Sequence, residues 1–506
     1  TADDQGQVTV GREPECRQLV SPESRAPTRL GRLGGEVPWS LLAGFAAAGV
    51  LISASLGQIR DIDLYWHLLV GDEIRSGTPI TAAGHGWTFA PVPDTWVSSQ
   101  WLSEVLLSWL HSVGGFQALV LFRVVSAAAV LVVLAAVTLR GRPIRAGAVA
   151  FALGGVAIAV TTQERSQQLT YVLAPLVGWW AERLVREGRV PRWWIVLPLT
   201  VVWANFHGGW VLLPFVLVLC AVARWTSHGL RDRPAWHAIV LSAGCGLSAM
   251  ISPLGPANAL TAITFSRAAG AEIAEWGRVV LWADQGWMLG ALLVLFILCW
   301  SRGRTRPGND ELVLVVGLIA FGFLAYRNIT PAVLVIAPTA AGAIARALPA
   351  RPTEPRPRLA RTSLTIALVG ALLAVGSALL PGQNLQGALP IALFQQIGRH
   401  PTPVRVLNTY NVSGPLLFFS GGAPHVKVGI DGRTDLYGAA YINTYMNTLL
   451  AAGPGWQWQF DQLNPDAALL YSNEALVGAL QNERNWRVVD VQDGVVLLVP
   501  PNATGW

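Results

Sequence analysis

The stretch from residue 115 to 138, GFQALVLFRVVSAAAVLVVLAAVT, decides the fold of this chain. Arg123 is its only charged side chain, and the residues on both sides of it are almost all apolar. An apolar run of about 20 residues is long enough to cross the hydrocarbon core of a bilayer, which is about 30 Å thick. The stretch therefore predicts a membrane-spanning helix.

The composition extends this prediction to the whole chain. The 506 residues are 52% hydrophobic and only 13% charged, with a mean hydropathy of +0.44. A soluble globular protein carries roughly 25% charged residues, so this chain has too few polar side chains to cover a water-facing body. We predict a mainly α-helical, polytopic membrane protein with about eleven spanning helices, placed at 39–58, 115–138, 146–161, 169–182, 193–205, 209–224, 236–252, 287–300, 311–326, 330–346 and 363–380.

The positions of the basic residues predict the orientation. Cytoplasmic loops of membrane proteins are enriched in Lys and Arg. Placing the N-terminus inside puts 23 of the 36 Lys and Arg in cytoplasmic segments, which include a polar N-terminal tail, 1–38, predicted to be disordered. We therefore expect a cytoplasmic (inner or plasma) membrane protein, and the net charge of +6 gives no reason to expect a nucleic-acid partner.

The chain is predicted to have a transmembrane domain, 39–380, followed by a small extracytoplasmic α/β domain, 381–506. Two outside loops of the transmembrane domain are long, 59–114 and 253–286, and residues 100–111 of the first have one apolar face, which is typical of a helix in the membrane interface. In the C-terminal domain, short apolar runs alternate with helical segments, which predicts a largely parallel sheet. Its strands are expected at Val404–Leu407, Val426–Ile430, Ala467–Tyr471, Trp486–Val491 and Val495–Val499.

Polar residues beside the apolar segments gather at the predicted outer face, and Asp61 and Asp63 are the most informative of them. The pair follows the first predicted span directly. Two carboxylates so close could share a divalent cation such as Mg²⁺ or Mn²⁺, or one could act as a base while the other orients it. They could also simply cap the membrane boundary. The proximity of two like charges is expected to raise the pKa of one of them.

Arg165 and Arg327 each occupy a short predicted outside turn, where basic residues are disfavoured. A guanidinium binds phosphate through two parallel hydrogen bonds, so both are predicted to hold a lipid phosphate; the alternative is that they reach lipid head groups. Asn205 and His207 in another outside turn could bind phosphate or sugar hydroxyls, or could form a structural pair.

Two further side chains have ordinary membrane roles as alternatives. Trp276 could stack on a sugar, although tryptophan is also common in interfacial belts. Arg123 lies inside the second predicted span, near its outer end, and is predicted to snorkel to the interface.

Several segments together resemble a group of bacterial multipass proteins whose first outside loop reads like DPDLWWHLxxG, then GxxPxxDxxSFT, then EWL. That group looks like part of the GT-C superfamily of membrane glycosyltransferases. The matching first-loop segments are Asp61-Ile-Asp63-Leu-Tyr-Trp66-His67-Leu-Leu-Val-Gly71, Gly77-Thr-Pro79-Ile, Trp87-Thr-Phe and Gln100-Trp101-Leu. Later matches are Arg165 with Gln168, Asn205-Phe-His207-Gly-Gly, Glu275-Trp276, Arg327-Asn328, Leu407-Asn-Thr-Tyr-Asn411 and Ile430-Asp431-Gly-Arg433-Thr-Asp435-Leu-Tyr437-Gly. Ile62, Tyr65, Gln100 and Val412-Ser413 depart from the pattern.

The resemblance implies an inverting transfer of a sugar from a polyprenyl-phosphate donor to an envelope glycan, lipid or protein acceptor. It implies that Asp61 or Asp63 is the base, the other orienting it or holding a metal, and that Arg165 or Arg327 holds the donor phosphate. Implied substrate contacts are His67, Gln168, Asn205, His207, Glu275, Trp276, Asn328, Asp431, Arg433 and Asp435. For the last three, a structural turn and ion pair is the alternative.

Two other functions compete with the transferase. A transporter or flippase of lipid-linked substrates would be expected to carry charged or broken-helix sites near mid-bilayer, often with internal repeats. A non-enzymatic envelope-assembly scaffold would use the C-terminal domain to bind a partner. The concentration of polar residues at one face, without repeats, favours the transferase.

Overall fold

The computed structural model describes residues 39–93, 96–261, 274–282, 285–303, 306–348, 357–381, 386–453 and 455–506. The predicted tail, 1–38, lies outside the described residues, as do residues 349–356 and residues 262–273 of the second long loop. The helices are α1 Trp39–Ser55, α2 Leu64–Arg75, α3 Trp101–Thr138, α4 Ile144–Thr161, α5 Gln168–Glu187, α6 Trp193–Phe206, α7 Leu212–His228, α8 Arg233–Ala249, α9 Trp287–Arg302, α10 Asn309–Phe323, α11 Ile329–Ala347, α12 Pro357–Ala378, α13 Ile391–Gly398, α14 Ser413–Phe419, α15 Thr434–Leu449, α16 Trp456–Leu463 and α17 Ala475–Arg484.

A helix lies at each segment that the sequence predicts to span the membrane, so the mainly α-helical fold is confirmed. Within the described ranges, five helical segments are long and apolar enough to cross a membrane: Trp101–Thr138, Ile144–Thr161, Gly208–His228, Tyr326–Ala347 and Arg358–Ala378. Three shorter apolar helices are Trp39–Ser55, Trp193–Phe206 and Trp287–Arg302. These helices indicate a location in a membrane, while the number of eleven spans stays a prediction.

The predicted interfacial helix and the second predicted span form one continuous element, α3, with a kink between them. The kink falls at Gly114 and Gly115, and Gly115 has φ +59, which a residue with a side chain rarely adopts. Helix α2 packs on the first half of α3 so closely that a Cβ added at Gly71 would collide with the backbone of Glu104. This close approach places His67, one turn before Gly71, beside the Glu104 side chain.

Helix α11 lies at the centre of the helical bundle, since its residues from Ile329 to Ile344 are buried. Helix α5 crosses it at Gly178, where an added Cβ would collide with the backbone carbonyl of Val335. Helices α1 and α12 approach in the same way at Gly370, opposite Ala48. Small residues at such crossings are typical of helices packed in a membrane, because packing rather than water exclusion holds them together.

The C-terminal residues contain five strands, β1 Val404–Asn408, β2 Val426–Val428, β3 Ala467–Tyr471, β4 Arg487–Gln492 and β5 Val495–Val499. They form one sheet in the order β2-β1-β3-β5-β4, with β1 parallel to β2 and β3. The prediction of a largely parallel sheet is wrong for its other half, because β5 runs antiparallel to both β3 and β4. Asp493 and Gly494, with φ of 48 and 77, make a two-residue turn between β4 and β5. Such a connection permits only a hairpin.

The first long loop joins this sheet. The Val428 amide at the sheet edge donates to the carbonyl of Trp87 at 2.9 Å, and the Phe89 amide donates to the carbonyl of Val428 at 3.1 Å. Trp66, Trp87 and Trp96 are buried in the same hydrophobic core as the strands. The loop and the C-terminal residues therefore pack as one body, which we call the outer body after the location that the sequence predicts for it, and Gly432 of this body lies against Asp63.

We expect Gly178→Ala to destabilise the protein by about 1–3 kcal/mol, because the added methyl group has to displace the backbone of α11. Gly246→Ala in α8 is the matched control, since a Cβ there meets no atom within 4 Å. Alanine is the better helix former, so this control is expected to be neutral or slightly stabilising. The thermal unfolding temperatures of the two full-length variants in detergent test the expectation; equal temperatures would contradict the close α5–α11 crossing.

Candidate active site

The guanidinium of Arg165 is the centre of a charged cluster that joins three loops. It binds Asp61 with both Nε–Oδ2 at 2.5 Å and Nη2–Oδ1 at 2.6 Å. Its Nη2 also donates to Asp63 Oδ2 at 3.0 Å, and its Nη1 donates to Glu275 Oε1 at 2.7 Å. Charge-assisted, two-pronged bonds of this kind fix geometry strongly. Arg165 therefore holds three carboxylates in defined positions.

The two aspartates of the cluster differ in accessibility. The Asp61 side chain is fully buried and also accepts a hydrogen bond from the Asp63 amide at 3.0 Å. The Asp63 side chain is 25% exposed and accepts a bond from Trp66 Nε1 at 3.2 Å. Burial, with the charge of Asp61 adding to it and Arg165 opposing it, raises the pKa of Asp63 to about 6. A carboxylate with a pKa close to neutrality is suited to act as a general base, which favours Asp63 over Asp61 for that role.

A buried histidine–glutamate pair lies close to Asp63. His67 Nδ1 is 2.9 Å from Glu104 Oε1, and the Glu104 side chain is completely buried. The Trp66 ring lies over the His67 ring with 3.6 Å between centroids. Sequence reasoning missed Glu104, although a lone acid in an otherwise apolar amphipathic helix is a signal that could have found it. The contact orients His67, whose other ring nitrogen has no hydrogen-bond partner in the described part of the chain.

Arg327 is the second cation of the site, and its surroundings differ from those of Arg165. Its guanidinium lies over the Trp276 ring, 4.6 Å from the centroid, and Trp276 directly follows Glu275. This guanidinium forms no hydrogen bond or ion pair with any other described residue. Among the described residues, the charge of Glu275 acts on Arg327 without a hydrogen bond or ion pair, so the burial of this arginine is compensated only in part, which favours an anionic ligand there.

His207 offers a neutral hydrogen-bond donor near these arginines. Its Nδ1 accepts from the Gly209 amide at 3.0 Å and lies 2.9 Å from Thr170 Oγ1, which leaves the proton on Nε2. Burial, together with the positive charges of Arg327 and Arg165, lowers the pKa of His207 to about 3. The ring is therefore neutral at physiological pH, and among the described residues its Nε2–H has no acceptor.

Three other predicted substrate contacts use their amides to tie loops together. Gln168 donates to the carbonyl of Gln163 at 2.6 Å, and Asn205 accepts from Trp101 Nε1 at 2.9 Å. Asn328 donates to a backbone carbonyl of α10 at 3.2 Å. These contacts position the Arg165 and Arg327 turns, and a direct role in substrate binding stays a prediction.

The predicted acceptor contacts in the C-terminal domain also have structural partners. Arg433 and Asp431 form a buried ion pair with Nε–Oδ1 at 2.9 Å and Nη2–Oδ2 at 2.6 Å. Arg433 Nη1 donates in addition to the carbonyl of Gly84, and Asp435 accepts from Trp96 Nε1 at 2.9 Å. The bonds to Gly84 and Trp96 hold the first loop to the C-terminal domain, and the ion pair with Asp431 fixes the Arg433 side chain, which favours the structural alternative for Asp431, Arg433 and Asp435.

The turn between Asp431 and Arg433 nevertheless touches the site through its backbone. A Cβ added at Gly432 would collide with Asp63 Oδ1 and Trp66 Nε1, so only glycine allows the outer body to close over Asp63. Tyr410 lies in the same part of the outer body. Burial, with the charge of Asp63 next in size, raises the pKa of its phenol. Sequence reasoning quoted Tyr410 within a motif but did not single it out as a site residue.

The prediction that Arg123 snorkels to the membrane interface is wrong. Its side chain is fully buried and forms an ion pair with the equally buried Glu164, with Nη1–Oε1 at 2.5 Å. The last carbonyl groups of a helix have no partners within the helix and need donors from elsewhere. Arg123 supplies them for the C-terminal end of α1, by donating to the carbonyls of Ala54 at 2.5 Å, Gln58 at 3.2 Å and Leu56 at 3.3 Å.

The divalent cation expected at Asp61 and Asp63 does not fit this arrangement. Oxygens of both carboxylates are bonded to the Arg165 guanidinium, which occupies the space between them. Within the described ranges, no group of three or more His, Cys, Asp or Glu side chains could hold a metal ion. The mechanism proposed below therefore routes no step through a metal.

Fold and site together define a helical membrane protein with a charged cluster between its apolar helices and an outer α/β body. No protein-family model and no curated protein sequence matches the chain significantly. Among solved structures it is similar to ArnT from Cupriavidus metallidurans bound to undecaprenyl phosphate, with 14% identity, 90% of this chain and 97% of that chain covered, and a TM-score of 0.49. It is also similar to the archaeal oligosaccharyltransferase AglB from Archaeoglobus fulgidus in complex with an inhibitory peptide and a dolichol-phosphate, with 12% identity, coverage of 88% and 70%, and a TM-score of 0.48. Similarity at this level does not assign a function.

We predict that Asp63 takes up its proton near pH 6, about two units above an ordinary aspartate. An infrared titration of the full-length protein, with the spectrum of Asp63→Asn subtracted, follows this carboxyl. Asp61→Asn is expected to lower the pKa of Asp63, because it removes the neighbouring negative charge and frees Arg165 to pair more closely with Asp63. Asp72→Asn, which removes an exposed carboxylate of α2, is expected to leave the titration unchanged. Titration of Asp63 near pH 4 would contradict the described site.

Proposed function

We propose that this chain is a membrane glycosyltransferase that moves a sugar from a polyprenyl-phosphate carrier to an acceptor at the outer face of the cytoplasmic membrane. One arrangement carries the proposal: a partly exposed carboxylate with a raised pKa, Asp63, in the same site as Arg327, which forms no ion pair with a described carboxylate. Sugar transfer from a phosphate requires these two functions, a base for the acceptor and a positive charge for the leaving phosphate. The motifs that resemble the GT-C superfamily support the same reaction.

On the donor side, the reaction breaks the bond between the anomeric carbon and a phosphate oxygen. The phosphate of the donor is a diester with one negative charge, and it leaves as a monoester that gains a second. Arg327 would bind this phosphate, and the neutral Nε2–H of His207 would donate to it. Their effect grows as negative charge builds on the leaving oxygen, which lowers the energy of the transition state.

On the acceptor side, a hydroxyl group attacks the anomeric carbon from the face opposite the phosphate, which inverts that centre. Asp63 would take the hydroxyl proton as the new bond forms. His67, oriented by Glu104, lies where it could bind a hydroxyl of the sugar or the acceptor. The acceptor would enter beneath the outer body, where Tyr410 lies, and would be an envelope glycan, lipid or protein.

The contacts of Arg165 favour a different role from the one that the sequence predicts. Its guanidinium already binds Asp61, Asp63 and Glu275, whereas Arg327 binds no carboxylate among the described residues. We therefore assign the phosphate to Arg327 and treat Arg165 as a positioning residue. Through Asp61 and Arg165, the carboxylate of Asp63 is held at a fixed orientation toward the acceptor.

The first test compares Asp63→Asn with Asp72→Asn in a strain that lacks the protein. The deletion strain is expected to accumulate a polyprenyl-phosphate sugar, which identifies the donor, and the purified donor then serves for transfer assays. Loss of a general base typically costs 10²- to 10⁴-fold in rate, so Asp63→Asn should reduce transfer by at least 100-fold. Asp72→Asn removes an equally negative but exposed carboxylate from α2 and should retain full transfer.

Both variants should express and unfold like the wild type, so that a loss of transfer is not a loss of fold. A deletion strain with an unchanged pool of lipid-linked sugars, or an Asp63→Asn variant that restores the wild-type pool, would refute the transferase. A non-enzymatic scaffold is expected to tolerate Asp63→Asn, because that substitution keeps the size of the side chain.

The second test addresses the leaving phosphate. Arg327→Gln should lower kcat by about 10²- to 10³-fold at saturating donor, because the lost charge acts mainly in the transition state. Arg327→Lys should recover part of that loss, since it keeps the charge without the fork geometry. Arg278→Gln, an exposed arginine two residues after Trp276, is the matched control and should be silent. An Arg327→Gln variant with normal kcat would remove Arg327 from the mechanism.

A further inference from the structure

A second polar region lies at the opposite end of the helical bundle from the candidate active site. A cavity of about 770 Å³ opens there between the C-terminal parts of α3 and α5. The basic part of the cavity lies at Arg183 and Arg186 of α5, which begins at Gln168 next to the Arg165 turn. At about 1.5 Å per residue these arginines lie roughly 23–27 Å along the helix from that turn, which is close to the thickness of about 30 Å of a hydrocarbon core. The two polar regions therefore bracket an apolar layer as the two faces of a membrane do.

The walls of the cavity combine two kinds of side chain. One side is apolar and includes Val132, Ala136 and Leu176, of which Val132 is 69% exposed. The rim is basic and includes Arg140, Arg142, Arg183 and Arg186. An apolar wall that leads to a basic rim matches a molecule with a hydrocarbon part and an anionic head.

The ion pairs around the rim leave positive charge in excess, because each glutamate serves two arginines. Glu182 pairs with Arg142 and Arg186, Glu311 with Arg186 and Arg346, and Glu187 with Arg183 and Arg189. Arg140 is exposed and forms no ion pair or hydrogen bond with any described residue. The network with Arg140 thus holds six arginines against three glutamates, an excess of three positive charges.

Two local features arrange these arginines around a common space. A Cβ at Gly342 of α11 would lie within 3.2 Å of Arg142 Nη1, Arg186 Nη2 and Glu182 Oε1, so the glycine provides room for them to converge. The guanidinium of Arg183 lies over the Trp179 ring at 4.9 Å from the centroid; its Nε donates to Glu187 at 3.4 Å, and its two Nη groups have no partner among the described residues. A guanidinium presented by its edge can bind phosphate oxygens in pairs.

We propose that this cavity binds the phosphate head group of an anionic membrane lipid, with an acyl chain of that lipid along Val132, Ala136 and Leu176. The basic rim recognises the phosphate, and the exposed apolar wall distinguishes a lipid from free phosphate. Arg183 and Arg186 lie in the last two turns of α5 and the Arg165 turn precedes its first residue, so the two sites are separate, and the lipid site does not depend on the function proposed above.

The test uses the full-length protein in a neutral detergent and native mass spectrometry with dioleoyl-phosphatidylglycerol, dioleoyl-phosphatidylcholine and inorganic phosphate as probes. Arg140→Gln combined with Arg183→Gln should weaken phosphatidylglycerol binding by roughly 10- to 30-fold, since each basic residue at a membrane surface contributes about fivefold. Arg192→Gln is the matched control, because Arg192 also lies over a tryptophan, Trp194, but does not line the cavity. It should bind phosphatidylglycerol as the wild type does.

Neither Arg140 nor Arg183 has a buried partner, so the double variant should unfold at the temperature of the wild type, and Arg140→Gln alone should weaken binding about fivefold. Equal phosphatidylglycerol binding in the double variant and the wild type would overturn the proposal. Inorganic phosphate that displaces the lipid at equal concentration would also overturn it, because the apolar wall would then contribute nothing. If phosphatidylcholine binds as tightly as phosphatidylglycerol, the basic rim does not select an anionic head group, and the proposal is overturned.

Discussion

The buried ion pair between Arg123 and Glu164 is the interaction on which the site depends. A helix that ends inside an apolar environment leaves carbonyl groups without donors, and Arg123 satisfies those of α1 from inside α3. A buried arginine in turn requires a counter-charge, which Glu164 provides. Because Asp61 follows α1 and Arg165 follows Glu164, this pair brings the two halves of the charged cluster to the same place. The Asp61–Arg165 contact is thus an extension of a helix-capping requirement.

The cluster itself holds more negative than positive charge, which explains its chemistry. Asp61, Asp63 and Glu275 share one guanidinium, and the fully buried Asp61 takes two of its bonds. Asp63 receives a single bond from Arg165 and lies next to Asp61, so its ionisation is costly although its side chain is 25% exposed. The three described carboxylates of the cluster bond Arg165, and none of them forms an ion pair with Arg327. The way one arginine distributes its bonds therefore separates the proposed base, Asp63, from the proposed phosphate ligand, Arg327.

The sequence was sufficient for the features that depend on local pattern. Apolar length predicted a helix at every expected segment, and short apolar runs predicted each strand of the sheet, because burial of whole segments dominates both. Contacts between distant segments were not predictable in the same way. The direction of β5 depends on a two-residue turn at Asp493 and Gly494 that the alternation of helices and strands obscures. The roles of Arg123, Glu104 and Arg433 depend on partners more than 30 residues away, which no spacing rule identifies.

The candidate site residues also fall into two groups, those that come together in one cluster and those that have structural partners elsewhere. Asp61, Asp63, Arg165 and Glu275 converge, as expected of charges that are retained beside apolar segments. Asp431, Arg433 and Asp435 are equally good candidates for substrate contacts in the sequence. In the structure, however, Asp431 and Arg433 form an ion pair, and Arg433 and Asp435 form hydrogen bonds to the first loop. The sequence pattern alone does not distinguish a charged side chain that contacts a substrate from one that contacts a loop of the same chain.

The way the outer body closes over the cluster limits how a substrate can reach it. Gly432 lies directly against Asp63, and Asp61 is fully buried, so the approach from the sheet side is narrow. The most exposed of the three carboxylates is Glu275, at 45%, and it belongs to the same short turn as Trp276, on which Arg327 rests. The most accessible side of the cluster is thus the side that carries Arg327, which forms no ion pair within the described part of the chain. A donor that carries its phosphate on a long hydrocarbon chain could approach Arg327 from the apolar helices without crossing the outer body, whereas a water-soluble donor would gain nothing from that route. The placement of Arg327 below the outer body therefore favours a lipid-linked donor over a soluble one.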